Sequence, residues 1–264
     1  MAYLTYFKSE LLVKLQYKVS ALAGLTTQFF WGIMYALIYT AFYTFTNIDN
    51  ISISELMCYV WLNQAFLILI YFNIDKGMVK DIQDGTVSYE LCRPYDLYLW
   101  WFMKLYAKKI AGVTLRFLPV ILFALILPQP YNLSLPNSFL AFVLFIVTLL
   151  LAGVLVTTIE LFVMGITFFT YQARGISSIT KEILSMFSGF TIPLPLLPTF
   201  LLVTLEYLPF RFIGDLPFRI YSGNINISYG LFSLGMQIIW IIVFVIIGRL
   251  LLRYALKRVS IQGG

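Results

Sequence analysis

Two ionisable residues, Arg116 and Glu160, lie inside long apolar runs of the sequence. A charge placed in hydrocarbon costs about 3 kcal/mol or more unless it is paired, so such residues usually face one another or a polar cavity. They lie near the same end of consecutive antiparallel helices, which predicts an ion pair. The pair is either a polar element that rearranges during function or a static salt bridge, and Arg116 could alternatively reach the interface with its long side chain.

The remaining residue types exclude most enzyme chemistry. The chain has no histidine, and its cysteines are Cys58 and Cys92. Histidine-based catalysis, zinc or haem ligation and a disulfide framework are therefore not expected. No GxxxxGK[ST] motif occurs, so we do not expect the chain to hydrolyse nucleotides by itself.

The composition indicates an integral membrane protein. Of the 264 residues, 61% are hydrophobic and only 11% are charged, with a mean hydropathy of +0.88. A soluble domain of this length needs more charge to cover its surface. The net charge of +6 comes without a basic run that alternates with aromatics, so it indicates cytoplasmic loops rather than binding of nucleic acid. Charges throughout the first 18 residues argue against a cleavable signal peptide.

Six segments are predicted to cross the membrane as helices, which need about 20 apolar residues each. They are residues 21–43, 56–72, 109–127, 138–168, 176–192 and 229–252. The fifth is short for a crossing and carries Lys181 and Glu182 near its start. Lysine and arginine concentrate before the first segment, in the second-to-third and fourth-to-fifth connections, and after the sixth. The positive-inside rule then places both termini in the cytoplasm. The predicted fold is an all-α membrane domain over residues 1–264.

Residues 1–18 are predicted to form an amphipathic helix at the inner interface. Leu4, Phe7 and Leu11 recur at helical spacing, whereas Lys8 and Lys14 lie largely on the other side. Such a helix lies in the plane of the membrane with its lysines toward anionic headgroups. The alternative is a continuation of the first span into water.

Residues 192–227 are apolar but too rich in proline for a continuous helix. We predict short re-entrant or interfacial helices on the outer side, which form a gate. The candidate residues are Pro193, Pro195, Pro198, Pro209, Arg211, Asp215 and Pro217. The alternative, an extra kinked span, would invert the C-terminus and contradict its basic residues.

The connection formed by residues 73–108 contains the most polar stretch of the chain, DGTVSYELCRPYD. A short helix is expected before Gly85, with Met78 and Ile82 on one face, and glycine favours its end. Residues 86–92 are expected to be extended, and Pro94 can open the next helix. A protrusion of this kind suits docking of a soluble partner, although an ordinary connection is the alternative.

The spacing Gly85-x5-Leu91-x-Arg93-Pro94 resembles the loop between the second and third spans of prokaryotic ABC-2-type ABC transporter permeases, which commonly have "G…LLRP" there. The basic amphipathic start, the segment SGFTIPLPLLPTF before the last span and the basic tail ending in Gly-Gly are also similar to that family. The resemblance covers nearly the whole chain and rests on the order of these motifs.

The resemblance implies a complex of two permeases, identical or homologous, with two cytoplasmic ATPase subunits that bind ATP and Mg²⁺. This chain would then hold no cofactor of its own. Residues 1–18 would be the connecting helix, residues 73–108 the coupling region and residues 192–227 the gate. The implied coupling residues are Lys80, Asp81, Asp84, Gly85, Tyr89, Glu90, Arg93 and Pro94.

The expected function is the membrane subunit of an ATP-driven exporter in a prokaryotic cell membrane. The resemblance implies a hydrophobic or amphipathic substrate such as a drug, an antimicrobial peptide or a lipid. A secondary transporter or channel is the alternative, but it needs ionisable or unwound sites at the midplane, and the spans are nearly bare of them. A membrane-embedded enzyme would need a nucleophile and base that the sequence does not offer.

Overall fold

The computed structural model describes residues 2–16, 18–45, 50–170 and 172–258. Every regular element in these ranges is a helix. The helices are α1 (Ala2–Leu15), α2 (Lys18–Phe45), α3 (Ile53–Ile70), α4 (Lys76–Gln83), α5 (Val87–Leu91), α6 (Leu97–Ile126), α7 (Phe139–Thr170), α8 (Arg174–Phe187), α9 (Thr199–Leu205), α10 (Asp215–Ser222) and α11 (Ile227–Arg258). Two 3₁₀ turns, Leu194–Leu196 and Pro209–Phe212, flank α9.

Four of the described helices, α3, α6, α7 and α11, are long and apolar enough to cross a membrane. They correspond to the predicted second, third, fourth and sixth spans. The third is longer than predicted, because α6 begins at Leu97 and runs for 30 residues. The aromatic and basic stretch before residue 109 is therefore the first part of the same helix.

The other two predicted spans differ from each other. Helix α2 has 28 residues, about 42 Å at 1.5 Å per residue, and contains the predicted range 21–43. It runs antiparallel to α3, and the side chain of Gln28 donates a hydrogen bond to the carbonyl of Gln64. Helix α8 has only 14 residues and ends at Phe187. At about 21 Å it is too short to cross alone, so the predicted fifth span over residues 176–192 is not one continuous helix.

Helices α7 and α11 pack side by side and run in the same direction. Near their starts, Gln237 Nε2 donates to the carbonyl of Thr148 at 2.9 Å, and near their ends Leu251 packs against Gly165. The end of α7 and the start of α11 therefore lie at opposite ends of the pair. Residues 172–226 must return the chain over that length, first as α8 and then as the short helices.

Helix α3 lies at the centre of the bundle, and most of its residues are buried. Glycines bring two neighbours close to it, because Gly112 of α6 faces Ile68 and Gly153 of α7 faces Leu69 with no room for a side chain. Small residues at such contacts allow membrane helices to pack by van der Waals attraction. The end of α3 is thus held between α6 and α7, where the polar connection begins.

Candidate functional site

Helix α4 begins directly after the extended residues that follow α3. The Asp75 carboxylate caps it by accepting hydrogen bonds from the N–H groups of Gly77 and Met78 at 2.9 and 3.1 Å. Met78 and Ile82 are buried, so the predicted helix before Gly85 and its apolar face are confirmed. Gly85 has φ of +72°, a conformation that favours glycine after a helix end.

Residues 86–92 are not extended as predicted. Val87–Leu91 form the one-turn helix α5, and Val87 is buried. The Thr86 hydroxyl donates to Oδ1 of Asp81 at 3.1 Å, which folds this turn back against α4. Pro94 does not open α6 either, because Asp96 is the N-cap and accepts from the N–H of Leu99 at 2.8 Å.

Most of the predicted coupling residues lie on the open surface of this segment. The exposed ones are Lys80, Asp84, Gly85, Tyr89, Arg93 and Pro94. The other two predicted residues stabilise the segment internally. Asp81 is half-buried against Thr86, and Glu90 accepts a hydrogen bond from Nε1 of Trp101 at 2.7 Å.

The five extended residues 71–75, which we call the strap, connect α3 to α4. Alternate residues of the strap are held by the bundle. Lys109 Nζ donates to the carbonyl of Tyr71 at 2.7 Å, and the N–H of Asn73 donates to Oε1 of Glu160 at 2.8 Å. Lys108 Nζ lies 3.0 Å from Oδ2 of Asp75. The strap is therefore attached to both α6 and α7.

The Asp75 carboxylate is held in its charged form. Burial opposes ionisation, but the hydrogen bond and charge of Lys108 and the N–H of Met78 outweigh it, so the pKa of this carboxyl lies below its usual value. A charged Asp75 accepts the capping hydrogen bonds and the lysine together. The start of α4 is thus held by one ionised side chain.

Glu160 pairs with a different cation from the predicted one. Its Oε1 lies 2.8 Å from Nζ of Lys109, and both side chains are buried. Arg116 shares that face of α6, two turns further along, but its guanidinium lies against Gly24 of α2. Glu160 and Lys109 both lie at the depth of the strap. The predicted pairing of Glu160 with Arg116 is therefore replaced by one with Lys109.

Helix α1 packs on the first turns of α6 through aromatic rings. Tyr6 and Tyr95 stack on Trp100, with ring centroids 3.6 and 4.3 Å apart, and the N–H of Asp96 donates to the Tyr3 hydroxyl at 2.8 Å. Of the predicted apolar stripe, Phe7 contributes a ring contact to Tyr106 of α6, whereas Leu4 is 71% exposed. The helical prediction for this segment is confirmed over Ala2–Leu15, whereas the side chain of Lys18 lies outside the described residues.

The proline-rich segment contains short helices, as predicted, and three of its prolines lie at their starts. Pro198 precedes α9, Pro209 begins a 3₁₀ turn and Pro217 lies in the first turn of α10. Pro193 and Pro195 flank the start of the other turn. These are positions where the missing N–H of proline has least effect.

Buried charges hold the proline-rich segment together. Asp215 is fully buried and lies 3.4 Å from Arg219 and 4.0 Å from Arg211. Arg211 donates to the Tyr229 hydroxyl at 3.0 Å, and Tyr229 in turn hydrogen-bonds Glu206. The predicted gate residues Arg211 and Asp215 therefore join α10 to the start of α11.

These features define a multi-pass membrane protein with a polar segment attached to its helical bundle. A family model for the ABC-2 family transporter proteins matches residues 24–263, and the chain belongs to that family. It is therefore a transmembrane subunit of an ABC transporter and not the nucleotide-binding component. No curated protein and no solved structure matches the chain. Gly263 and Gly264, which end the basic tail that resembles the family, lie outside the described residues.

Proposed function

We propose that this chain is the permease of an ATP-driven exporter and that α4 and α5 form its docking segment for a cytoplasmic ATPase. The observation that carries the proposal is the attachment of the strap at Tyr71, Asn73 and Asp75. In the proposed complex, two ATPases that bind ATP and Mg²⁺ act on two permeases, identical or homologous. The complex resides in a prokaryotic cell membrane.

The strap gives a physical route for coupling. A displacement of α4 cannot be absorbed by a loose loop, because three side chains on α6 and α7 hold alternate strap residues. The displacement is therefore passed to α6 and α7 as a movement of packed helices. Aromatic contacts at Trp100 place α1 against the start of α6, so that α1 moves with the same unit.

We further propose six crossings with both termini in the cytoplasm, in which α8 and the residues that follow it up to 191 make the fifth. The parallel packing of α7 and α11 supports this, because it requires the chain to return between them. Residues 192–227 would then face outward as the gate. The proposed substrate is hydrophobic or amphipathic, because the membrane-embedded surface available to it is mostly apolar.

The docking segment contains a native reporter of partner binding. Cys92 is exposed, whereas Cys58 is buried, so maleimide should label Cys92 selectively in the folded chain. We expect the co-expressed ATPase to protect Cys92 and the permease to raise ATP hydrolysis. The double exchange Lys80→Glu/Asp84→Lys preserves net charge but should abolish both effects, because both side chains are exposed on the proposed docking surface.

A matched control exchanges exposed charges elsewhere. Lys8→Glu/Glu182→Lys also preserves net charge and lies outside α4 and α5, so protection and stimulation should persist. Retained protection and stimulation in the Lys80/Asp84 variant would contradict the docking segment. Transport by the purified chain with no ATPase would contradict the proposed function as a whole.

A further inference from the structure

A cavity of about 590 Å³ lies between the strap, α4 and the start of α8. Its volume falls in the range of roughly 300–1,000 Å³ that is typical of small-molecule sites. Three cations line it: Lys76 from α4, and Arg174 and Lys181 from one face of α8. No aspartate or glutamate is among its described lining residues. The cavity therefore has a positive potential that nothing in its own walls neutralises.

Two nearby carboxylates are already engaged by other cations, and Glu182, which follows Lys181 on α8, is exposed. Asp75 pairs with Lys108 and Glu160 pairs with Lys109. Lys181 lies over the ring of Tyr71, with its ammonium 5.2 Å from the centroid, and Lys76 and Arg174 form no ion pair with the residues that the structure describes. Three like charges around one cavity repel each other, so an anion placed among them is stabilised.

The neutral donors of the cavity suit an anion with several oxygens. Ser177 and Ser178 line it beside the cations. Helix α8 starts there with Ala173 at its N-cap, which offers no side-chain hydrogen bond to the first turn. The backbone N–H groups of that turn are thus available to an acceptor, and the helix dipole adds to the positive potential.

We propose that this cavity binds a phosphate group, held by Lys76, Arg174 and Lys181 and by the hydroxyls of Ser177 and Ser178. Guanidinium matches two phosphate oxygens at once, and lysines and hydroxyls serve the others. The lining also includes the apolar residues Phe72, Ile74 and Val79, which suit the body to which the group is attached. The ligand is a free phosphate or the phosphate head of an anionic amphiphile.

The bound group would bridge α4 and α8. Lys76 belongs to the helix that we assign to ATPase docking, and Arg174 and Lys181 belong to the helix that returns the chain across the bundle. Occupancy should therefore raise the ATP hydrolysis that the permease stimulates. This consequence rests on the proposed function, whereas the binding itself does not.

The test uses the full chain in phosphatidylcholine nanodiscs and two probes. Inorganic phosphate is compared with chloride at equal ionic strength by thermal unfolding, because screening alone acts equally in both. Phosphatidic acid is added to the nanodiscs, and its retention on the purified chain is measured by native mass spectrometry. A response to phosphate that the cavity variants lack identifies a free anion, because phosphate also stabilises proteins by exclusion from their surface. Retention of phosphatidic acid identifies a lipid head; either result supports the site.

The variant Lys76→Gln/Arg174→Gln/Lys181→Gln should weaken binding by about tenfold or more, since the charge-assisted hydrogen bonds are lost. The matched control Lys8→Gln/Arg253→Gln/Lys257→Gln removes the same charge outside the cavity and should bind as the wild type does. Ser178→Trp should also weaken binding, because it fills the cavity without a change of charge. It tests the site independently if the triple variant does not fold.

Two results would overturn the site: no response of the wild-type chain to either probe, or equal binding by the cavity variants and the wild type. Unchanged ATP hydrolysis on phosphate binding, with binding itself intact, would instead count against the proposed coupling through α4. The two failures are therefore distinguishable.

Discussion

The ammonium of Lys109 lies 2.8 Å from Oε1 of Glu160, and the same two groups bind the backbone of the strap at Tyr71 and Asn73. A buried ion pair is seldom more stable than well-packed apolar side chains, because two charges must be desolvated. What this pair adds is two charge-assisted hydrogen bonds to the connection between α3 and α4. It therefore ties the polar segment to the inside of the bundle.

Removal of either partner should strongly destabilise the folded chain. Glu160→Gln leaves the Lys109 ammonium buried without its counter-charge. Lys109→Met leaves the Glu160 carboxylate buried without a cation. Each should lower the free energy of unfolding by about 3–5 kcal/mol. The double variant should lose clearly less than the sum, since no unpaired charge remains. Reversible unfolding in mixed micelles measures all three.

Arg116→Gln is the matched comparison for this cycle. Because Glu160 pairs with Lys109, the effects of Arg116→Gln and Glu160→Gln should add within about 0.5 kcal/mol. A coupling as large as that of Lys109 with Glu160 would restore the pairing expected from the sequence.

The stability of α4 should depend on pH through Asp75. The folded-state pKa of this carboxyl lies below its usual value, so the ionised form stabilises the folded state. That stabilisation is fully present above the usual pKa of about 3.9 and is lost as the pH falls through the lower folded-state value. Asp75→Asn keeps a side-chain oxygen that can cap α4, so its cost near pH 7, about 0.5–1 kcal/mol, comes from the negative charge lost at the helix start. The cost should be small at the lowest pH that the fold tolerates. Hydrogen exchange of the α4 amides at both pH values gives the comparison.

Asp84→Asn provides the control for Asp75, because it removes a carboxylate from the other end of α4. A negative charge near a helix C-terminus is unfavourable, so this change should leave α4 as stable or slightly more stable near neutral pH. Equal losses of protection in Asp75→Asn and Asp84→Asn would mean that net charge, and not the position of a negative charge at the start of the helix, determines the stability of α4.

Local patterns in the sequence were sufficient to predict the helices that depend on interactions between residues close in the chain. Long apolar runs predict α3, α6, α7 and α11, and the prolines of residues 192–227 predict short helices because proline interrupts the helical hydrogen bonds. Met78, Ile82 and Gly85 predict α4 and its end, because an apolar face and a residue that tolerates positive φ are both visible in sequence.

What could not be predicted depends on contacts between distant residues. Helix α5 forms although its residues favour extended structure, because Val87 is buried and Thr86 binds Asp81. The partner of Glu160 depends on the relative depth of α6 and α7, which apolar runs do not specify. Helix α1 contacts α6 through aromatic rings, because Trp100 offers a ring on which Tyr6 can stack and Tyr106 one that Phe7 meets.

The position of Gly85 permits a test of backbone conformation alone. A Cβ at Gly85 or at Gly175 would meet no atom within 4 Å, but only Gly85 has a positive φ, of +72°. Gly85→Ala should therefore destabilise the α4–α5 segment by about 1 kcal/mol, and Gly85→Asn by less. Gly175→Ala, in the first turn of α8, should be neutral or stabilising. Hydrogen exchange of the two segments measures each effect, and equal effects at the two glycines would contradict the role of the backbone.

The attachment of α1 should depend on Trp100, because no residue of α1 is buried. Tyr6 of α1 and Tyr95, which precedes α6, both stack on this one ring. Each aromatic pair contributes about 0.5–1.5 kcal/mol beyond the area it buries. Trp100→Ala should raise hydrogen exchange and proteolysis across α1 without affecting α7 or α11. Trp31→Ala removes a tryptophan whose ring contacts, Phe30 and Tyr35, lie within its own helix, so α1 should stay protected. Protection of α1 in both variants would show that the stack on Trp100 does not hold it, and that the contact of Phe7 with Tyr106 or the surrounding lipid does.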